Sequence, residues 1–360
     1  MVPSKHWAWL EVFLAVVLIG LAVAEFVLYS PPVQRIEQSL SVSVKSARST
    51  AQMTNIQLVI THGSADRFVQ VAAFPLSVRS VRQPSIYVYA DGSYPTAGAA
   101  PTVALGVFDH LDGELVARHF PRPVAGVTAS ELADVLRDTS KASQRMVVMM
   151  TGVVPAGIFS ATVDLMSPWV MAGGIVVWGG GAIGYWSGAA GQPLTAADAI
   201  GEAGTTRLLG PGVVQYPTTF GREGTVHSGF GSALNVSYRF TSVGVLRDTV
   251  LARGGLGLGW YSGPFSSVSY LPHGHGGYLI FGGEIPDEAS VSVDIATIVL
   301  SGAIDGTGPI AFEQIKLPGT ESTSTVGWEL PFSSPSDGIM LVSFDPSPDG
   351  VYFSTQIIVQ

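Results

Sequence analysis

The sequence predicts an α/β protein with additional β structure and one N-terminal transmembrane helix. Three observations lead to this prediction: residues 7–29 form one long apolar run, residues 85–188 alternate apolar strands with amphipathic helices, and the flanks of that region alternate with period two. A chain of 360 residues has room for two or three domains. We expect a transmembrane anchor at 1–33, β strands at 34–84, an α/β domain at 85–305 with a β-rich insertion at 189–276, and further strands at 306–360.

Composition and charge exclude several classes of protein. Apolar residues make up 47% of the chain and charged residues only 12%, so a disordered, highly charged protein is excluded. The net charge is −9 at pH 7 and the sequence has no basic run, which argues against nucleic acid as a partner. The chain has no cysteine, which excludes disulfides, thiolate metal ligands and a cysteine nucleophile.

The first apolar run has the length and the flanks of a helix that crosses the lipid bilayer. About 20 apolar residues span the hydrocarbon core. Trp7, Trp9 and Tyr29 stand at the ends of the run, where aromatic side chains favour the membrane interface. A cleaved signal peptide is the alternative, but it requires a basic start, a shorter apolar core and small residues at the cleavage site. Lys5 and His6 are the only residues with basic side chains before the run, so the pattern favours an uncleaved anchor.

Two glutamates interrupt this run. The spacing of Glu11 and Glu25 places them about 40° apart around a helix. Under one interpretation, each carboxylate reaches the membrane interface at its own end of the span. Under the other, the two form a polar stripe that faces a second transmembrane helix. The second interpretation predicts association with another membrane protein or with a second copy of this chain.

Composition also predicts the side of the membrane on which the body of the chain lies. Arg35, Lys45 and Arg48 follow the span and mildly favour a cytoplasmic body, although long domains translocate regardless of such charges. The body is rich in Ser, Thr and Gly, lacks Cys and carries one glycosylation sequon at Asn235. These features favour a cell-membrane protein with an extracytoplasmic body, glycosylated at Asn235.

Period-two alternation predicts strands on both sides of the α/β domain. The strands predicted before it cover 40–45, 56–60 and 68–74, and those after it cover 310–315, 327–330, 339–344 and 351–359. Turns rich in Pro, Ser, Asp and Gly separate the later strands. We expect the two groups to pair into one β-sandwich from which the α/β domain protrudes.

Within the α/β domain, continuous apolar strands separated by amphipathic helices predict a parallel sheet covered on both faces. Pro101 begins the first helix, and a capping box from Thr128 to Glu131 begins the second. Strands are predicted at 86–90, 114–118, 145–151, 175–178 and 277–281, and helices at 101–111, 128–137, 160–172 and 286–300.

Three stretches carry a resemblance to a known family. They are the strand that leads into Thr151-Gly-Val-Val-Pro155, the helix-to-strand run from Pro168 to Trp178, and the strand from Gly276 to Gly283 with its following helix. Together they resemble the class I glutamine amidotransferase-like domain, which has a flavodoxin-like fold. The family's catalytic cysteine lies on a sharp strand-to-helix turn, whereas the matching strand here ends in Thr151. The resemblance therefore implies a fold without glutamine hydrolysis by that route.

The carboxyl ends of the predicted parallel strands supply the ligand-binding candidates. Ligands of open α/β sheets bind at this edge, where we expect Asp91, Thr151 and Gly179 to converge. Solvated loop residues are the alternative interpretation of the same positions. Residues 179–184 fit the pattern G-x-G-x-x-G, but a loop follows where dinucleotide binding requires a helix.

Metal and cofactor chemistry have weak support. His273 and His275 form a close histidine pair, but histidines two positions apart in a Gly-rich loop are usually polar loop residues. No cofactor is predicted. The sequence therefore favours a non-catalytic extracytoplasmic subunit or cell-surface interaction module. The alternative is a membrane-anchored enzyme or small-ligand-binding protein that uses the carboxyl edge of the sheet.

Overall fold

The computed structural model describes most of the chain beyond residue 40. The predicted transmembrane helix with Glu11 and Glu25 lies outside the described residues, as does Asn235. Among the described residues, no helix combines the length and the apolar character that crossing a bilayer requires. The described ranges are 41–50, 52–63, 67–75, 84–118, 120, 122–211, 213, 215–217, 226–227, 236–239, 243–260, 265–300, 304, 311–330, 339–344 and 353–358.

Helices and strands alternate through the middle of the chain, and strands occupy both of its described flanks. The helices are α1 (Pro101–Ala117), α2 (Ala129–Arg137), α3 (Met166–Met171), α4 (Glu202–Leu209), α5 (Arg247–Ala252) and α6 (Glu288–Leu300). The strands are β1 (Ser41–Ser49), β2 (Thr54–Thr61), β3 (Arg67–Pro75), β4 (Ser85–Tyr89), β5 (Val124–Val127), β6 (Arg145–Met149), β7 (Val154–Pro155), β8 (Ile175–Trp178), β9 (Ser187–Gly188), β10 (Gln215–Pro217), β11 (Val226–His227), β12 (Val243–Val245), β13 (Leu256–Trp260), β14 (Ser266–His273), β15 (Gly276–Phe281), β16 (Ala311–Leu317), β17 (Thr323–Leu330), β18 (Ile339–Phe344) and β19 (Phe353–Ile358).

A mixed eight-stranded sheet lies at the centre, in the order β11-β13-β14-β15-β8-β6-β4-β5. Strands β5, β4, β6, β8 and β15 run parallel to one another, while β14, β13 and β11 add antiparallel strands beside β15. The inner parallel strands β6, β8 and β15 are mostly apolar because both of their faces are buried. In β6, for example, Met146 and Val148 pack into one core cluster while Val147 and Met149 pack into the other. The chain is therefore an α/β protein built on a mixed sheet.

Helix α6 lies in the core beside α1, on one face of this sheet. Its residues from Val291 to Leu300 are buried apart from Val293, as expected for a helix that is apolar nearly all round. The buried Arg118, at the C-terminal cap of α1, donates hydrogen bonds to Thr297 Oγ1 (3.0 Å) and to Glu114 Oε2 (3.0 Å). This bonding ties the end of α1 to α6 around a buried guanidinium. Helices α2, α3 and α4 contribute to the cluster on the opposite face.

The structure corrects two of the predicted elements. Residues 114–118 are the last turn and cap of α1, not a strand, because Val107, Leu111 and Leu115 continue one buried helical face. The helix predicted at 160–172 is restricted to α3, and residues 160–165 form turns in which Asp164 binds Ser167 N at 2.9 Å. In addition, residues 256–260 and 266–273, inside the predicted insertion, form β13 and β14 of the central sheet.

The flanking strands form two small sheets, β1-β2-β17 and β16-β3-β18-β19, which we call the β module. The predicted pairing of N-terminal with C-terminal strands is confirmed, since β2 pairs with β17 and β3 pairs with both β16 and β18. Leu58 and Ile60 of β2 share one apolar cluster with Val69 of β3, Leu317 of β16 and Leu330 of β17. The two sheets are thus held together by a core of their own.

The predicted capping box at the start of α2 is also present. Glu131 Oε2 accepts hydrogen bonds from Thr128 N (2.9 Å) and from the Thr128 hydroxyl (2.8 Å), while Glu131 N donates to Thr128 Oγ1 (3.4 Å). We expect Thr128→Ala to lower the free energy of unfolding by about 1 kcal/mol in urea denaturation, because it leaves a helix N–H without its partner. Ser130→Ala, at an exposed position of the same helix, should change it by less than about 0.5 kcal/mol. Equal effects of the two substitutions would contradict this account of the cap.

Candidate functional site

The loops that follow β4, β6, β8 and β15 meet at the edge of the sheet where its parallel strands end. This is the edge at which ligands of open α/β sheets bind. Here the loops bond to one another through their main chains, and we call this arrangement the closed edge. Its inter-loop hydrogen bonds run from Ala97 N to Thr151 O (2.8 Å), Gly152 N to Gly179 O (3.1 Å), Gly180 N to Gly283 O (3.1 Å) and Ile285 N to Gly98 O (3.0 Å).

Glycines make this close approach possible. Gly152 has a φ of 66°, and a Cβ atom there would lie 1.9 Å from Ala97 O and 2.3 Å from Gly180 O. Gly98 has a φ of 68°, and its Cβ would lie 1.9 Å from the same Gly180 O. Both positions therefore require the left-handed backbone and the absence of a side chain. The space at the ends of these strands is filled by main chain.

The structure brings Thr151 and Gly179 together but gives neither a free functional group. Thr151 is buried, and its hydroxyl donates to Val153 O in its own loop at 2.8 Å. Gly179 contributes its carbonyl to the bond from Gly152 N. The Thr151 hydroxyl thus stabilises the turn after β6, which is a structural role.

Asp91, the third predicted residue, lies at the start of α2. Its carboxylate accepts hydrogen bonds from the Ser93 hydroxyl (2.6 Å), from Ser93 N (3.1 Å) and from Ala129 N (3.0 Å). Partial burial alone would raise the pKa of Asp91, but the hydrogen bonds from Ser93 and Ala129 outweigh it and lower that pKa. The carboxylate therefore remains ionised at neutral pH and completes the helix N-terminus.

The histidine pair does not gather further metal ligands. The His273 ring lies 5.9 Å from that of Tyr278, and its pKa is lowered by desolvation and by the positive charge of Arg253. His275 stands in the turn between β14 and β15, where its N–H donates to Met171 O at 3.1 Å. Among the residues that the structure describes, no group of three or more His, Asp or Glu side chains is placed to hold a metal ion.

A cavity of about 130 Å³ lies beside the first turns of α6, where the chain arrives from β15. One side is lined by residues 237–239, which belong to a segment, 236–239, that we call the docked segment. The other side is lined by residues of α6 and of the loop before it. The docked segment alternates in burial: Val236 and Tyr238 point inward, while Ser237 and Arg239 are exposed. The Tyr238 hydroxyl donates to Glu284 O at 2.8 Å, so the segment is attached to the loop as well as to the helix.

Asp294 forms the base of this cavity and was not singled out from the sequence. The residue is 1% exposed, and its carboxylate accepts hydrogen bonds from Tyr238 N (2.8 Å), Ser237 N (2.9 Å) and the Ser237 hydroxyl (3.3 Å). The signal that could have identified it is the single charge within the apolar run 291–300. A carboxylate in such a run must find donors within the protein, because burial without them is costly.

Burial raises the pKa of Asp294 to about 6. Hydrogen bonds from Ser237 and Tyr238 stabilise the ionised form but do not cancel the loss of hydration, and the nearby charge of Asp287 adds to the increase. A carboxyl whose pKa is perturbed beside a cavity is a candidate functional group. Asp294 is therefore a described carboxyl group that combines burial beside a cavity with a raised pKa.

Comparisons with known proteins do not assign this chain to a family. No protein-family model and no curated protein matches the chain. Among solved structures, the exo-β-1,4-mannosidase Op5Man5 from Opitutaceae bacterium strain TAV5 is similar with a TM-score of 0.34 and 16% identity, over 62% of this chain and 35% of that one. The β-galactosidase from Rahnella sp. R3 is similar with a TM-score of 0.36 and 13% identity, over 77% of this chain and 41% of that one. The chain thus spans less than half the length of either enzyme, and likenesses this low carry no conclusion about fold or activity.

The closed edge generates a prediction about stability. Gly152→Ala should lower the free energy of unfolding by more than about 3 kcal/mol, because a methyl group there combines backbone strain with overlap of two carbonyl oxygens. Gly191→Ala is the matched control: its φ is 68°, but a Cβ there would meet nothing within 4 Å. Gly191→Ala should lower the free energy of unfolding only by the cost of the left-handed backbone, roughly 1–2 kcal/mol. Similar urea midpoints for the two variants would mean that the loops are not closely packed.

Asp294 generates a prediction about pH. Its folded-state pKa is about 6 against an ordinary value of 3.8, so its stabilising contribution is complete only well below pH 3.8 and is lost as the pH rises through 6. The stability of wild type relative to Asp294→Asn should fall by roughly 2 kcal/mol between pH 4 and pH 7. We expect this from urea denaturation at the two pH values.

Asp287 provides a control of opposite sign. Hydrogen bonds from Ser290 and Ala289 outweigh its partial burial and lower the pKa of Asp287, so its contribution is present at neutral pH and is lost on acidification. The stability of wild type relative to Asp287→Asn should therefore rise between about pH 2 and pH 4, below the range in which Asp294 titrates in the folded state. Parallel behaviour of the two variants would show that the environment of Asp294 is misassigned.

Proposed function

We propose that this chain is a non-catalytic subunit or cell-surface interaction module, anchored in the cell membrane by residues 7–29 with its body outside. The single observation that carries the non-catalytic role is the closed edge. In an open α/β sheet, substrate and reacting groups would meet at the carboxyl ends of the strands. Here main chain from four loops fills that space, and the Thr151 hydroxyl is engaged within its own loop.

The chemistry of the residues supports the same role. The family that the α/β region resembles uses a cysteine nucleophile at the strand-to-helix turn, and this chain has no cysteine. A threonine hydroxyl is a poor nucleophile without an adjacent base. We propose that the α/β part has the flavodoxin-like, amidotransferase-like fold without the activity, and that the β module is a sandwich. Five parallel strands with helices on both faces support the first proposal, and the shared apolar cluster supports the second.

The membrane anchor suggests where a partner binds. Glu11 and Glu25 interrupt an otherwise apolar span, and intramembrane carboxylates generally face a protein partner or a polar cavity rather than lipid. We propose that they face a helix of another membrane protein or of a second copy of this chain. We also propose that the extracytoplasmic body is glycosylated at Asn235. The sequon ends at Ser237, which is exposed.

A small-ligand-binding protein is the second candidate function. The cavity beside α6 favours it, since Arg239 and Asp294 place charges of opposite sign on its walls. However, the Asp294 carboxylate already accepts bonds from Ser237 and Tyr238, and the residue is 1% exposed, so a ligand has little access to it. A bound small molecule that co-purifies with the body alone would favour this function over the interaction module.

Purification of the full-length protein in mild detergent tests the proposed role. The double variant Glu11→Leu/Glu25→Leu should insert at least as well as wild type and co-purify with less partner, because a hydrogen bond between membrane helices is worth roughly 0.6–2 kcal/mol. The Glu→Gln double variant is the matched control, and it should keep part of the association. Equal partner-to-bait ratios in all three proteins would mean that the glutamates only reach toward the membrane interfaces.

A further inference from the structure

We propose that docking of residues 236–239 onto α6 is coupled to protonation of Asp294, so that the docked segment is held more tightly in mildly acidic than in neutral solution. This inference concerns a conformational property of the body. It does not rest on the proposed function. Its observations are the cavity beside α6, the hydrogen bonds across it and the burial of a lone carboxyl.

The docked segment covers the carboxylate of Asp294. Its residues 237–239 line the cavity, and Ser237 N and Tyr238 N donate hydrogen bonds directly to the carboxylate. Val236 and Tyr238 insert into the cluster that α6 shares with the central sheet, each with 4% exposure. Undocking of these four residues would therefore expose the carboxyl to solvent and separate it from its donors.

The direction of the coupling follows from the difference between the two states. In the docked state, burial raises the pKa of Asp294 to about 6. In the undocked state, a hydrated aspartate has a pKa of about 4. The state with the higher pKa binds protons more tightly, so acidification favours docking. At neutral pH the docked segment must instead cover an ionised carboxylate.

Protonation leaves the contact chemically intact. A neutral carboxyl retains a carbonyl oxygen that accepts from a backbone N–H, here that of Tyr238 or Ser237. Its O–H can donate to the Ser237 hydroxyl oxygen, which lies 3.3 Å from both carboxylate oxygens. The hydrogen bonds are thus rearranged rather than lost, while the desolvation of a charge is removed.

The elements around α6 carry other titratable or charged groups, and one of them is a histidine. His110 of α1 has its Nε2 3.9 Å from Glu288 Oε1, and it also interacts with Asp287. The strands beneath α6 contribute apolar side chains and Tyr270. The titratable or charged groups near α6 lie on three elements. They are Glu284 and Asp287 in the loop before α6 and Glu288 at its start, Tyr238 and Arg239 on the docked segment, and His110, Glu114 and Arg118 at α1.

Hydrogen exchange of the Ser237 and Tyr238 amides in the full-length protein tests the proposal. With pKa values of about 6 docked and about 4 undocked, opening should be about tenfold more frequent at pH 7 than at pH 5, after correction for the intrinsic exchange rate. Asp294→Asn should abolish this pH dependence. His110→Gln, the control for the neighbouring histidine, should retain it.

Each alternative result overturns the proposal. Protection that is independent of pH, or that increases from pH 5 to pH 7, would show that docking does not take up a proton. A response that persists in Asp294→Asn, or that disappears in His110→Gln, would assign it to another group. If the Asn variant does not fold, wild type and His110→Gln still decide between these outcomes.

Discussion

The close approach of the loops at the carboxyl ends of the parallel strands is the constraint on which the rest of the α/β structure depends. Main-chain hydrogen bonds join loops that are far apart in the sequence, and Gly98 and Gly152 stand where a single methyl group would overlap a carbonyl oxygen. Because the bonds satisfy backbone groups that the strands leave unpaired, closing the edge also permits its burial. Open α/β sheets generally bind ligands at this edge, whereas here main chain occupies it.

Helix α6 connects this edge to the remainder of the body. The loop before it contributes Gly283 and Ile285 to the closed edge, and the helix itself is buried against α1 and the central sheet. Beyond its first turn the helix is buried on nearly every side, yet the charged residue Asp294 lies in that buried part. The docked segment supplies the donors that make this carboxylate tolerable, so α6 and residues 236–239 depend on each other. Such a buried carboxyl offsets part of the hydrophobic stabilisation of its helix at neutral pH and makes that stabilisation sensitive to protons.

The sequence predicted correctly those elements that depend on residues close together in the chain. The capping box at Thr128 and the continuous apolar strands β6 and β8 were correctly predicted, because a cap is a contact between near neighbours and a doubly buried strand needs only apolar residues. Residues 114–118 were wrongly predicted as a strand because a short apolar stretch fits either period. In the structure these residues are helical, because Leu115 continues the buried helix face formed by Val107 and Leu111. Of the predicted site residues, Thr151 and Gly179 do lie together, whereas Asp91 serves the N-terminus of α2.

By itself, the sequence determined the class of the protein: an α/β chain with flanking β strands, without cysteine chemistry, and with an N-terminal run typical of a membrane span. These are properties of composition and periodicity, which act over a few residues. Tertiary structure alone decided that the carboxyl edge is closed, since Ala97, Gly152 and Gly180 meet only when separate loops are brought together. It also decided the properties of Asp294. A pKa near 6 requires both the removal of water by a distant segment and donors from that same segment, and neither is encoded in the neighbours of Asp294 along the chain.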